Sequence, residues 1–272
     1  MLTLKLVDSA GAIVGERSHE EETYLAYKTR EYAAGEKIIL ESSETECFVW
    51  IQVDEALPAS LIYLTTNQWE FPIITDDELR RAYSPKLFSG KRHYIRAFLP
   101  KAYEVENYRN LALNAHDQKN DSGAYPHAFA NVETRNDSTF FARNAIDGMI
   151  ANEDHGSFPY QSWGINQQAD AQITIDFGRE ILTDKIALVL RGDYPHDSYW
   201  ETVTLEFSDG EQLELKTTNA LDRQYFSFES KRTSTVTLKK LMKHQDDSPF
   251  PALTELEVYG HELHGRETIC HE

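Results

Sequence analysis

Apolar and polar residues alternate with a period of two along most of this chain, in short runs that Gly, Pro, Asn and Asp interrupt every few positions. Successive side chains on a strand point to opposite faces, so such runs bury one face of a sheet. A helix would need apolar residues every three to four positions. Leu2-Thr-Leu-Lys-Leu-Val7 is the first example, and further strands are predicted over Thr23–Tyr27, Lys37–Leu40, Cys47–Val53, Ser60–Leu64 and His93–Phe98. Gly11, Gly15, Gly35, Pro58 and Gly90 separate them. One short helix is predicted from Asp76 to Tyr83, where Thr75 and Glu78 have capping-box spacing and Pro85 ends it.

From Pro100 to Asn110 the alternation lapses. One or two helical turns would fit there, so this segment reads as a connection. Alternation returns over Ala171–Phe177, Lys185–Leu190, Thr202–Phe207, Gln212–Leu215, Tyr225–Phe228, Thr235–Leu238 and Thr254–Tyr259. Asp209-Gly210, between two alternating segments, predicts a type I′ hairpin turn. Many short strands with frequent turns indicate sandwiches or barrels. The length of 272 residues suits two domains of about 100–150 residues each. The expectation is an all-β chain of two β-sandwich, jelly-roll-like domains, residues 1–100 and 111–260, followed by a polar tail at 261–272.

Charge narrows the partners. There are 45 acidic and 27 basic residues, a formal net charge of −18, which repels nucleic acid and anionic membrane surfaces. No apolar run approaches the roughly 20 residues needed to span a bilayer. Met1 leads straight into the first strand without a charged segment or cleavage site, so the expected location is cytoplasmic. Cys47, in an apolar run, and Cys270, in the tail, read as two thiols, as a reducing compartment would leave them.

The richest stretch is Arg191-Gly-Asp-Tyr-Pro-His-Asp-Ser-Tyr-Trp200, between an apolar run and an alternating one. It offers a cation, two carboxylates, an imidazole, a hydroxyl and three aromatic rings. Sugars suit such a loop, since they need planar hydrogen-bond partners and an aromatic face beneath their C–H groups. Arg191 would donate to vicinal hydroxyls, Asp193 and Asp197 would accept from them, and Trp200, Tyr199 or Trp163 would supply the ring. The competing reading is an internal Arg–Asp pair with Trp200 in the core. Residues 119–163 have little periodicity but many polar and aromatic side chains, which argues for an ordered, functional segment. Tyr125, His127 and His196 join the expected ligand set on these grounds.

Three features in the second half resemble the discoidin-like, galactose-binding-like domain of the coagulation factor V/VIII C type. They are Asn144-Ala-Ile-Asp-Gly148 followed by Ser162-Trp163; Ala171-Gln-Ile-Thr-Ile-Asp-Phe-Gly178 followed by Lys185-Ile-Ala-Leu188; and Leu253-Thr-Glu-Leu-Glu-Val-Tyr-Gly260. The resemblance covers roughly residues 110–260. A long insertion between Gly148 and Ser162 departs from it. The resemblance implies a structural calcium on Asp147, Ser162, Glu255 and the Asn144 carbonyl, an oxygen set of the kind calcium prefers. It also implies non-catalytic carbohydrate recognition through loops at one end of the sandwich.

The alternative is an enzyme acting on a sugar or sugar derivative. His116-Asp117, His127, Asp154-His155 and His196-Asp197, with Arg191, would then converge as an acid–base or metal centre. None of these has the i, i+4 spacing of a metallohydrolase helix, and no phosphate-cradling or nucleophile-elbow motif is present. A protein-binding scaffold is a third class, and the fold alone does not choose. The apolar segment Leu61–Pro72 would suit self-association or packing of the first domain on the second.

Overall fold

The computed structural model describes residues 1–263, so Cys270 lies outside the described residues. Cys47 is buried. The chain is all-β, as its alternation requires, and every strand pairing is antiparallel. No helix among the described residues is long and apolar enough to cross a membrane.

The first half holds two sheets. One runs Ile13–His19, Leu2–Val7, Lys37–Ser42, Gln68–Pro72; the other runs Ala124–Tyr125, Ser60–Leu64, Cys47–Gln52, His93–Phe98, Glu22–Tyr27. Leu2, Leu4 and Leu6 are fully buried, and they share one core with Ile51 and Ile62 of the facing sheet. Two strands escape the period-two reading. Ile13–His19 is an edge strand with no buried residue, so it carries no apolar face to read. Gln68–Pro72 looks like a turn after Ser60–Leu64 but crosses to the other sheet and buries Trp69 and Phe71. In the segment Leu61–Pro72, Ile62, Leu64, Trp69 and Phe71 face the first core, while Tyr63 packs toward the second half, 4.9 Å from the Arg179 guanidinium, so the segment contributes to packing of the first half on the second. The helix is shorter than predicted, Asp77–Arg80, and its cap is Asp76, whose carboxylate accepts the Leu79 N–H at 2.9 Å.

The second half is one eight-stranded sheet folded over a single core. Two strands make the fold. Ile173–Leu190 has 18 residues and Gln224–Lys243 has 20, and each replaces two strands predicted separately. Residues 173–176 pair with 238–235 and with His127–Ala130, while residues 181–188 pair with 233–224 and with the closing strand Ala252–Glu262. Each long strand thus bends from one layer of the sandwich into the other. The bend is a bulge at 177–180, where Gly178 takes φ 66°. From sequence that glycine reads as a strand end. The 200–216 hairpin forms, but only Gly210 has positive φ, so its turn is a three-residue loop rather than type I′.

The connection contains the short helix Ala102–Glu106, yet the chain does not leave the first half there. Arg109–Asn110 pairs with the closing strand of the second half. The chain then returns, and Ala115 and Ala124 join the first core. This strap is polar and buried, so its groups must find partners on both sides. Ser60 Oγ accepts the Ala115 N–H and bonds His116 Nδ1 at 2.9 Å, while His116 Nε2 accepts the Val53 N–H. Asp117 accepts from Ala128 N and holds His127 Nδ1 at 2.8 Å. Arg143 donates to the carbonyls of Asp117 and Ala115.

The strap predicts acid sensitivity. Burial, reinforced by Arg143, pushes the His116 pKa from 6.5 down to about 3. His116 stays neutral in the fold and protonates when unfolded, so its contribution is present above the unfolded pKa and lost as pH falls. Acidifying from about pH 7 to about pH 5 should cost about 2 kcal/mol through this residue. His127 works in reverse. Burial lowers its pKa, but Asp117 outweighs that and the net shift is upward, so its contribution is lost as pH rises. In denaturant unfolding at the two pH values, His116→Gln should lose about 2 kcal/mol less than wild type on acidification. Equal pH dependence in the two proteins would contradict this role.

Candidate functional site

Loops converge at one end of the second sandwich on a cavity of about 330 Å³. Five segments contribute to its walls: the turn at Thr134–Arg135, the stretch Gly164–Gln167, the inserted loop carrying His155, the loop holding His196 and the segment holding Phe250. Buried Asn152 anchors the insertion. Its amide donates to the carbonyls of Leu190 and Leu221, and its own carbonyl accepts the Gly192 N–H at 2.8 Å. This brings His155 to Asp193, with Nδ1 to Oδ2 at 2.9 Å.

Three rings then stack. His155 and His196 have centroids 4.5 Å apart at 20°, and His196 and Phe250 have centroids 5.2 Å apart at 28°. Phe250 is 40% exposed, so the stack presents an open aromatic face. Opposite it stand polar groups on strained backbone. Arg135, Asn166 and Gln167 all take φ between 48° and 58°, a left-handed region that non-glycine residues seldom occupy. Arg135 is exposed, and among the described residues no carboxylate pairs with it; its guanidinium lies 5.7 Å from the Phe140 ring. The site therefore combines a flat apolar surface, a cation and two amides around a cleft.

The residues expected to bind ligand divide into groups. His196 and Arg191 line the cleft, and Asp193 is held beside it by His155. Trp163 and Trp200 are fully buried with centroids 6.4 Å apart, so neither offers a stacking face. Bulky apolar rings flanked by sheet on both sides go to the core. Arg191 and Asp197 are buried as well and bond each other. Nε donates to Oδ2 at 2.8 Å and Nη2 to Oδ1 at 2.5 Å. Asp197 also accepts the Asp193 N–H, and Arg191 donates to the Phe250 carbonyl at 3.2 Å. This pair places the platform and is spent on internal partners. Tyr125 and His127 belong to the seam between the halves: Tyr125 pairs with Tyr63 and bonds Asp121, and His127 bonds Asp117. Phe250, Arg135, Asn166 and Gln167 were not picked out from sequence. The signal for Phe250 was present, an aromatic residue held between Pro249 and Pro251 after an acidic turn.

The four positions of the implied calcium lie deep beside this end. Asn144, Asp147, Ser162 and Glu255 are all buried. Glu255 accepts the Gly148 N–H, and Asp147 accepts from Met149 N and from Gln161 Nε2 at 2.7 Å. Burial raises the Asp147 pKa to about 6. Burial, and then the charge of Asp147, raise that of Glu255 well above the usual carboxylate range. Ser162 Oγ and Gln161 Oε1 are buried without a partner. Two crowded carboxylates beside orphaned oxygens are a donor set that fits a hard cation.

No family model matches this sequence, and no curated protein matches it. Among solved structures, it is similar to chitosan-binding module 1 of a chitosanase/glucanase from Paenibacillus sp. IK-5, at 19% identity and TM-score 0.38, over 56% of this chain and 98% of that one. It is similar to the family 32 carbohydrate-binding module of C. perfringens NanJ, solved with galactose, at 18% identity and TM-score 0.38, over 48% of this chain and 91% of that one. A fucose-binding module of Streptococcus pneumoniae is 16% identical at TM-score 0.40, over 56% of this chain and 98% of that one.

Removing one partner of a buried pair leaves the other charge without a counterion, at a cost of about 3–5 kcal/mol. Asp197→Ala should lower unfolding free energy by that amount in denaturant melts, and a loss under about 1 kcal/mol would show that the pair does not hold these loops.

Proposed function

We propose that this chain is a carbohydrate-binding protein that seats a sugar ring on the His155–His196–Phe250 face of the second sandwich. The stacked, exposed rings carry this reading. A pyranose presents a patch of C–H groups that packs on an aromatic face, while its hydroxyls need directional partners at the rim. Arg135, Asn166 and Gln167 supply donors and acceptors there, and Asp193 is held at the edge by His155. The cavity is within the usual size of small-molecule sites, about 300–1,000 Å³. The groups of the catalytic alternative are divided: His116, Asp117 and His127 are bonded in the seam, while His155, whose ligand atom lies within 4.8 Å of those of Asp154 and Asp193, stands at the cleft with His196.

Calcium is part of the proposal. Asp147 and Glu255, with the Ser162 hydroxyl and the Asn144 carbonyl, would hold the ion. It would neutralise two carboxylates that burial otherwise forces toward protonation. Bound at a hundred times its Kd, it should stabilise the fold by about 2.7 kcal/mol, a rise of roughly 5–10 °C in Tm. Asp147→Ala should abolish that rise in a thermal melt with and without calcium. A Tm indifferent to calcium in the wild type would remove the ion from the account.

Glycan-array screening followed by calorimetry tests the binding site. Phe250→Ala and Arg135→Ala should each weaken binding to the selected glycan by at least about tenfold, or about 1.4 kcal/mol. No binding to any glycan, or full affinity in both variants, would sink the proposed site.

A further inference from the structure

We propose a second binding site, in the seam between the two halves, for a small anion with a flat apolar body. A separate cavity of about 380 Å³ lies there, and none of the stacked rings lines it. Phe71, Ile74 and Leu79 line it from the first half; Lys119, Phe141 and Arg143 line it from the second. Apolar cavities where two units meet are common places for small ligands.

Charge selects the ligand. The chain carries a net charge of −18, yet among the described residues the charged ones lining this cavity are Lys119 and Arg143, with no Asp or Glu. A cleft of one sign with apolar walls concentrates its potential on whatever enters. Arg143 is 3% exposed; its guanidinium bonds the carbonyls of Asp117 and Ala115 and the side-chain oxygen of Asn144, and the buried carboxylates of Asp117 and Asp147 feel its charge without bonding it. Tyr83 lies 4.5 Å from it as a flat neighbour. Lys119 sits 4.3 Å from the Phe141 ring and 3.5 Å from Glu133, which approaches it from outside the cavity lining. Leu79, a lining residue on a one-turn helix, is 46% exposed, a large apolar side chain reachable from solvent. An aromatic or short-chain carboxylate, sulfonate or phosphate matches these features: the body meets Phe71, Ile74, Leu79 and Phe141, and the anion meets the two cations.

The probe is 8-anilinonaphthalene-1-sulfonate, with uncharged N-phenyl-1-naphthylamine as its neutral counterpart, titrated by fluorescence into the full chain. The wild type should bind the sulfonate saturably at one site and at least tenfold more tightly than the neutral dye. Leu79→Glu should weaken the sulfonate at least tenfold, while Leu79→Lys, an equally polar change at the same exposed position, should not weaken it. Lys119→Ala should narrow the preference for the sulfonate. Phe250→Ala, at the other end, should leave dye binding unchanged, which separates this site from the proposed sugar site. No saturable binding, equal affinity for the two dyes, or equal losses in Leu79→Glu and Leu79→Lys would overturn the proposal.

Discussion

The ion pair between Arg191 and Asp197 is the interaction on which the recognition end depends. It sits where the strand Ile173–Leu190 leaves the sheet, and both side chains are almost wholly buried. Taking two charges out of water is costly, and the attraction offsets that cost only when the geometry is good and the remaining groups are satisfied. Here they are. The carboxylate accepts from Arg191 twice and from Asp193 N, and the guanidinium reaches the Phe250 carbonyl. One buried pair thereby ties three segments together: the strand end, the loop at 192–198 and the segment at 248–252. Its effect is positional. It sets Asp193 where His155 can bond it and sets Phe250 where His196 can stack on it.

A second polar assembly does the same for the molecule as a whole. The strap between Asn114 and Ala128 passes from the second half into the first and back. Its buried groups are satisfied from both sides, by Ser60 and Val53 in one direction and Arg143 in the other. Further contacts clamp the seam: Arg179 lies 4.6 Å from the Phe48 ring, and the Phe158 N–H donates to the Arg81 carbonyl at 2.7 Å. The seam cavity takes its lining from both halves, so its shape depends on their staying in register.

The period-two alternation made the sheets legible, because burying one face of a strand leaves that mark on the residues. What it hid were the cases where burial is not one-sided. Ile13–His19 buries nothing and shows no pattern. The two long strands change layers at a bulge, so their inward faces switch and each reads as two strands. The site was legible in outline only. The loop at 191–200 does reach the cleft, but composition cannot tell a residue that meets a ligand from one that holds the loop. Arg191, Asp197 and Trp200 have the right chemistry for sugar binding and are spent on packing and internal bonds. Phe250, by contrast, is 40% exposed, in a short segment just before the closing strand.

The central claim is that the stacked rings form the contact surface for a sugar. Amide and side-chain chemical shifts of the isotope-labelled protein, followed through a titration with a bound glycan, test it most directly. The account predicts that the largest shifts fall on His155, Asn166, Gln167, His196 and Phe250, with Tyr125 and His127 unmoved. Shifts centred on the seam or scattered over the sheets, with the ring stack silent, would contradict it.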